Sequence, residues 1–294
     1  MSKNPEINVY DSLTSFAEAV MTTLEENEAS NSFILGRMGA MLALDQPNIM
    51  LMARVHEDGV TKLAALGLGD GLAMSKGDPL VAELIAEEVQ SRGLPVARAF
   101  GPVEVVTKFG ERLSGLRDCA WSETMSQRVY QTNQITAPLN VPGSMRVGSQ
   151  SDLDVLTKWM VAFVDDANLG YELSEAAARE NIEPKFKSGT IFVWERDGQP
   201  VSMASSSRPT KTTMTVNAVY TPPEERNRGY ASALVAAVSE HILRSGKRYA
   251  VLLTDQKNPT SNSIYMKIGY VPVSDSLSIQ FAPKVSSGAN QNVT

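Results

Sequence analysis

The chain of 294 residues has little of what many catalytic sites are built from: one cysteine, Cys119, and two histidines, His56 and His241. A single cysteine excludes an intramolecular disulfide and suits a reducing compartment. It stands in Leu116-Arg117-Asp118-Cys119-Ala120-Trp121, with neither histidine near, which reads as a buried structural thiol rather than a nucleophile. No HExxH run follows His56, and His241 falls far along a helical stretch, so the expectation is no histidine mechanism and no metal. No segment approaches the roughly 20 apolar residues of a membrane span. The start, Met1-Ser2-Lys3-Asn4-Pro5-Glu6, lacks the apolar core of a signal peptide. A cytoplasmic chain without a membrane partner is expected. A large charge excess is missing too: the formal net charge of -6 leaves no electrostatic footprint for nucleic acid. It is the balance of an ordinary soluble surface.

What is present is the material for packed cores, with hydrophobic residues at 43% and charged residues at 20%. The length suits two domains of ordinary size. The boundary falls at Gln131 to Ser144, a polar stretch carrying Pro138, Pro142 and Gly143. We therefore expect an accessory α/β domain over 1–135 and a second domain over 145–282. The tail 283–294 is poor in apolar residues and is expected to be disordered.

In the first half, Ser12 to Leu44 is helical in pattern with a break near Asn31. Ile49 to His56 and Val60 to Leu68 read as a hairpin. Asp78-Pro79 opens a helix that Arg92-Gly93 closes. Val96 to Phe100 then reads as a strand, and Val103 to Leu116 as a helix. The run Gly67-Leu68-Gly69-Asp70-Gly71 fails the dinucleotide fingerprint and reads as a turn.

In the second half, Met145 to Val147 is a short strand, and Ser151-Asp152 caps a helix to about Asp166. A helix over Ser174 to Asn181 follows, then strands Thr190 to Arg196, Pro200 to Ser206 and Thr212 to Tyr220. A helix past Gly229 carries an apolar stripe of Ala231, Leu234, Val235, Val238 and Ile242. Strand Tyr249 to Thr254, helix Ser261 to Ile268 and a strand pair, Tyr270 to Val273 with Leu277 to Phe281, complete the chain.

The chemistry concentrates in Val216 to Ser232, VNAVYTPPEERNRGYAS. A strand ends, two prolines forbid its continuation, and a helix begins just past Gly229. The first N–H groups of a helix lack internal partners, and its dipole adds positive charge there. With Gly229 leaving the approach open and Ala231 small, the turn can hold a pyrophosphate. Arg226 and Arg228 can add charged donors. The same residues also fit an ordinary strand-to-helix loop with solvated arginines. Both readings stay open on the residues alone.

Arg226, Gly229 and Ala231 match the pattern (Arg/Gln)-x-x-Gly-x-(Gly/Ala), which resembles the coenzyme A signature of the GNAT superfamily of N-acetyltransferases. The flanking Tyr220-Thr221-Pro222-Pro223-Glu224 resembles the subset that includes glycine N-acyltransferase-like enzymes. Downstream, Asn258 to Tyr270 resembles the family's Asn-x6-Tyr-x3-Gly-(Phe/Tyr) element. The resemblance covers roughly Met145 to Phe281.

It implies an α/β GNAT fold, a mixed and mostly antiparallel central sheet flanked by helices, in two tandem domains. It implies acetyl-coenzyme A as co-substrate. Backbone amides of Arg226, Asn227, Arg228, Gly229, Tyr230, Ala231 and Ser232 would cradle the pyrophosphate. The strand edge at Ala218, Val219 and Tyr220 would pair with the pantetheine arm, and Asn258 would hydrogen-bond it. Tyr265 would be the general acid. The partner would be a primary amine of a small molecule or peptide. Asn217 stands where some relatives keep an acidic residue, and Glu224 and Glu225 lie close to the loop, so the general base stays open. Acceptor pockets in this fold are built by the first helices and the loop near Ser205 to Lys211.

The first half resembles a degenerate GNAT-like domain loosely, through Asn31 to Gly36 and Phe100-Gly101-Pro102. Asp78-Pro79 occupies the place of the signature, so one coenzyme A site per chain is expected. A sensor that binds acyl-coenzyme A without turnover is the competing class. A mycothiol synthase-like tandem enzyme, or one taking longer acyl groups, is the third reading.

Overall fold

The computed structural model describes residues 4–44 and 48–283. The expected disordered tail, Pro283 apart, lies outside the described residues. In chain order the first half contains β1 (Glu6–Val9), α1 (Leu13–Glu25), α2 (Ser32–Leu42), β2 (Ile49–Glu57), β3 (Val60–Leu68), β4 (Gly71–Met74), α3 (Ala82–Ser91), β5 (Arg98–Pro102), α4 (Val103–Arg117) and β6 (Cys119–Thr132). The second contains β7 (Ser144–Val147), α5 (Leu153–Asp166), α6 (Glu175–Ser188), β8 (Ile191–Arg196), β9 (Gln199–Ser207), β10 (Thr213–Tyr220), α7 (Tyr230–Arg244), β11 (Tyr249–Asp255), α8 (Pro259–Ile268) and β12 (Val271–Pro283). Among the described residues no helix is long and apolar enough to cross a membrane.

Two compact units result. Among the described residues, one comprises 4–21, 48–124 and 277–283, the other 22–44 and 125–276. Segments 22–44 and 125–135 thus group with the second half, and 277–282 with the first, so the units cut the chain differently from 1–135 and 145–282. The physical reason is burial: Leu277 and Ile279 belong to the core of Phe109 and Leu113, whereas Ala29 packs with Val129 and Val251.

The first unit is a mixed sheet in which β1, β2, β3 and β4 pair antiparallel and β4 pairs β5 in parallel. Asp78 caps the helical turn before α3 as expected, its carboxylate accepting from the Leu80 N–H at 2.9 Å. The apolar stripes of α3 and α4 lie buried against the sheet residues Val55, Leu63 and Leu72.

The second unit repeats this order. Strands β7, β8, β9 and β10 pair antiparallel, β10 pairs β11 in parallel, and β11 pairs β6 antiparallel. Under one face, α7 buries Leu234, Val235, Val238 and Ile242 against Phe192, Val216 and Leu252. On the other, α5 and α6 bury Leu156, Met160 and Ile182 against Ile191, Val193 and Met203.

Several expectations change. Strand β6 is absent from the pattern reading, because its half-exposed residues alternate with polar ones and lack an apolar run. The expected strand pair at 270–281 is one strand, β12, since Ser274 to Ser276 continue the extended backbone instead of turning. Ala231 is not in the buried stripe of α7 and is only partly buried, whereas Ala233 is in it. Cys119 is only partly buried, 4.0 Å from the Ser114 hydroxyl. Helix α6 passes the expected end at Asn181 and runs through Pro184 to the left-handed Gly189, held by buried Ala178 and Ile182.

Asp152 holds the N-cap position of α5, as expected, but makes no side-chain cap bond there; the side-chain cap lies one turn earlier, on the helical turn Gln150–Asp152, and is formed by Ser149. Its N–H donates to the Asp152 carboxylate at 2.8 Å, which also accepts two bonds from Arg146 at 2.6 and 2.9 Å. The Arg146 guanidinium holds the buried Asp152 below the ordinary carboxylate range. That contribution is therefore complete above the unfolded value near pH 4 and is lost as pH falls through the lower folded value. Asp152→Asn should cost about 2–3 kcal/mol at pH 7, less than a fully buried pair because Arg146 is partly exposed. Urea unfolding checks this: the gap to the parent should shrink below about pH 4, and a gap unchanged at acid pH would count against it.

Candidate functional site

Strand β10 sets the geometry of the site. Asn217 lies opposite Ser205, yet Tyr220 lies opposite Met203, so three steps along β10 match two along β9. The extra residue is a bulge, and Ala218 takes it up in the left-handed region at φ 49. An L residue there costs roughly 1 kcal/mol, and such features concentrate where backbone must be re-aimed. The bulge also resets the side-chain alternation. Val216 and Val219 point to the α7 side, whereas Ala218 and Tyr220 pack on the side of α5.

The second consequence concerns β11. Its parallel pairing with β10 runs from Thr213–Tyr249 to Thr215–Val251. Beyond that, β10 keeps to β9 as far as Tyr220 and β11 keeps to β6 as far as Asp255. The two strands part company, and among the described residues the β10 edge from Val216 to Tyr220 has no strand partner on that side. Because β10 and β11 are parallel, the turns that follow them, 221–229 and 256–258, emerge at the same end of the sheet.

The first turn is built as the sequence implies. Pro223–Glu225 form a helical turn, Arg226 is extended, Asn227 is left-handed at φ 62, and Gly229 caps α7 at φ 84. The Gly229 carbonyl accepts the Ala233 N–H at 3.0 Å, so the N–H groups of Tyr230, Ala231 and Ser232 are the donors left without an intrahelical acceptor. A Cβ on Gly229 would meet Val141 Cγ2 at 3.1 Å. Glycine suits the left-handed backbone there, and a side chain would also press on Val141.

The side chains are arranged differently from the expectation. Arg226 donates to the Thr221 carbonyl at 2.9 Å and to Asp166 at 2.5 Å, with its guanidinium 5.7 Å from the Tyr220 ring centre. Arg228 donates to Glu225 at 2.8 Å. Both ion pairs are exposed, worth about 0–1 kcal/mol each, and can be exchanged for an anionic ligand. Tyr230 turns inward, and its hydroxyl accepts from Arg196 at 2.8 Å. The donors that this turn presents are therefore backbone N–H groups, while both arginines are held in ion pairs.

The second turn carries Asn258, which caps α8 by accepting the Ser261 N–H at 3.0 Å on its side-chain oxygen. Ser261 and Tyr265 follow at the three- and four-residue spacings that share a helix face. Tyr265 is buried beside Tyr270, ring centres 6.1 Å apart. Burial pushes its phenol up to about 12, opposed by a hydrogen bond with Ser261. It holds its proton throughout the neutral range.

The histidines stand apart: His241 is exposed, edge-on to Phe192 at 5.3 Å, and His56 lies in the other unit. Among the described residues no group of three or more acidic, histidine or cysteine side chains could hold a metal ion. A cleft lined by Arg146, Asp152 and Glu195 shares no residue with the two turns, and its charges are already paired. Asp166, Val141 and Tyr130, whose hydroxyl donates to Asn262 at 2.8 Å, escaped the sequence reading. Each is brought to the site from far along the chain, and no local pattern marks it.

Residues 197–277 match the family described as FR47-like protein. No curated protein matches the chain in sequence. Among solved structures, an acetyltransferase of the GNAT family from Colwellia psychrerythraea aligns over 94% of this chain and 98% of its own, with TM-score 0.58 and 11% identity. A GCN5-related N-acetyltransferase from Sphaerobacter thermophilus covers 94% of both chains with TM-score 0.61 and 15% identity. A tandem GNAT protein from the clavulanic acid biosynthesis pathway covers 95% and 98%, with TM-score 0.57 and 11% identity. The chain has the mixed α/β fold of these proteins, a central sheet flanked by helices.

Gly229→Ala tests the cradle. The left-handed backbone adds roughly 1 kcal/mol of strain, whereas blocking the close approach should weaken coenzyme A binding by about tenfold or more. Calorimetric titration checks it, and unchanged affinity in a folded variant would remove the cradle.

Proposed function

We propose that this protein is an acetyl-coenzyme A-dependent N-acetyltransferase acting on a primary amine of a small molecule or peptide. The observation that carries the reading is the coincidence, at one end of the sheet, of a splayed strand edge and an amide-lined helix start. The edge at Ala218, Val219 and Tyr220 supplies backbone groups for an extended amide-bearing arm, as in β-strand addition. The amides of Arg226 to Ser232 supply the anion site for its pyrophosphate. Asn258 keeps its side-chain amide nitrogen for the arm while its oxygen caps α8.

In the transfer, the amine nitrogen attacks the thioester carbonyl carbon, a C–N bond forms and the C–S bond breaks. The Tyr265 hydroxyl gives its proton to the departing sulfur. The proton released by the amine leaves through water: Asn217 cannot take it as a base, Glu225 is held by Arg228, and Glu224 is exposed on the loop. Catalysis then rests on positioning the two reactants together and on the acid.

The catalytic domain in this reading spans 145–282, completed by the segments that pack with it. The domain over 1–135 is a degenerate relative. Its element order repeats that of the second half, but Asp78 stands where a pyrophosphate would need positive potential. A lone, partly buried cysteine fits a cytoplasmic setting.

Tyr265→Phe separates an enzyme from an acyl-coenzyme A sensor. Turnover, read as thiol release, should fall by about 100-fold or more while acetyl-coenzyme A affinity stays within about twofold. The parent rate should show no loss of this acid between about pH 6 and 9, because its proton is held up to about pH 12. A variant as fast as the parent would contradict the role of Tyr265, and a parent that binds without turning over any amine would favour the sensor.

A further inference from the structure

One cluster in the second unit is not used by this chemistry. On β9 and β10, Ser205 lies opposite Asn217 and Ser207 opposite Thr215. With Arg208, these residues hold five of the six buried side-chain polar atoms that find no hydrogen-bond partner among the described residues: Ser205 Oγ, Ser207 Oγ, Arg208 Nε, Thr215 Oγ1 and Asn217 Oδ1. Ser205 and Thr215 are essentially closed to solvent, at 1% and 0% exposure. Native interiors satisfy most such groups with protein, water or ligand, so a concentrated row of them calls for a polar partner. The row ends at Asn217, next to the Ala218 bulge.

Arg208 makes the row specific. It sits at φ 50, a left-handed conformation retained by a bulky residue. A Cβ on Gly36 of α2 would come within 2.5 Å of Arg208 Cβ and Cγ, so a glycine inside a helix makes room for the arginine stem. Its guanidinium stands 5.6 Å from the Phe33 ring centre, and that of Arg37 stands 5.5 Å from the same ring. The charge acting on Arg208 is thus of its own sign. Burial and Arg37 together push it down to about 10, and no carboxylate among the described residues offsets them. Two cations held together beside unsatisfied hydroxyls call for an anion. A guanidinium binds a planar carboxylate through two parallel bonds.

We infer that the amine acceptor carries a carboxylate, which docks on Arg208 with help from Arg37 while the hydroxyl row leads its amine toward Asn217 and the bulge. This rests on the acyl-transfer reading and names the substrate class for it. The row runs from Ser205 to Arg208, about 10 Å of extended chain, so amine and carboxylate are separated by several bonds, as in ω-amino acids and short peptides.

The test measures thiol release from acetyl-coenzyme A with ω-amino acids of increasing length and dipeptides, each paired with its carboxamide. The acids should exceed their amides by about 30-fold in kcat/KM, and Arg208→Gln should bring that ratio close to about 1 through KM. Arg37→Gln, at an exposed position, should lower it by about threefold to fivefold and keeps the test available if Arg208→Gln does not fold. Acetyl-coenzyme A affinity, read by calorimetry, should be unchanged in both variants. Equal use of acids and amides, or a preference that survives Arg208→Gln, overturns the inference. Weakened acetyl-coenzyme A binding in Arg208→Gln also overturns it, because the guanidinium then serves the cofactor. Absence of acetyl-coenzyme A binding in the parent instead removes the acyl-transfer reading itself.

Discussion

The bulge at Ala218 is the constraint on which the rest of the site depends. One additional residue between Asn217 and Tyr220 turns the end of β10 over and leaves its pairing with β11 to finish at Thr215. A regular ladder would have sealed that edge. With the bulge, backbone donors and acceptors of β10 face the gap that opens between β10 and β11. Ala218 accepts a strained backbone because β9 fixes the register before it at Asn217 and after it at Tyr220.

Burial then assigns the side chains. The α7 face holds Phe192, Tyr230, Tyr265 and Tyr270, so the proposed acid lies in an apolar wall that keeps it protonated. The opposite face is apolar beneath α5 and α6 but polar where β9 and β10 approach Phe33 and Arg208. In the proposed reaction each face serves one reactant: protonated phenol and cofactor turn on one, an anion-seeking arginine on the other.

Most of this fold was legible in the sequence because its strongest signals are local. The helix stripe of Leu234, Val235, Val238 and Ile242, the hairpin turn at Asp58-Gly59 and the Gly229 turn each follow from short-range periodicity or backbone chemistry. Strand β6 was not legible, since a half-exposed strand has no apolar run to announce it. The bulge was hidden because Ala218 is an unremarkable residue in a strand pattern, and its φ is imposed by pairing with β9. The Asp166–Arg226 pair and the Gly36–Arg208 contact join residues remote in sequence, which periodicity cannot see. The site was read through its turns, and its strand geometry and polar row emerged only with the sheet.

The most direct measurement is calorimetric titration of the full chain with coenzyme A and, separately, with pantetheine, which lacks the pyrophosphate. The account predicts one coenzyme A site per chain and pantetheine binding weaker by roughly 100-fold or more, since the turn at 226–232 is lost to it. Equal binding of the two, two sites per chain, or no heat with coenzyme A would contradict it.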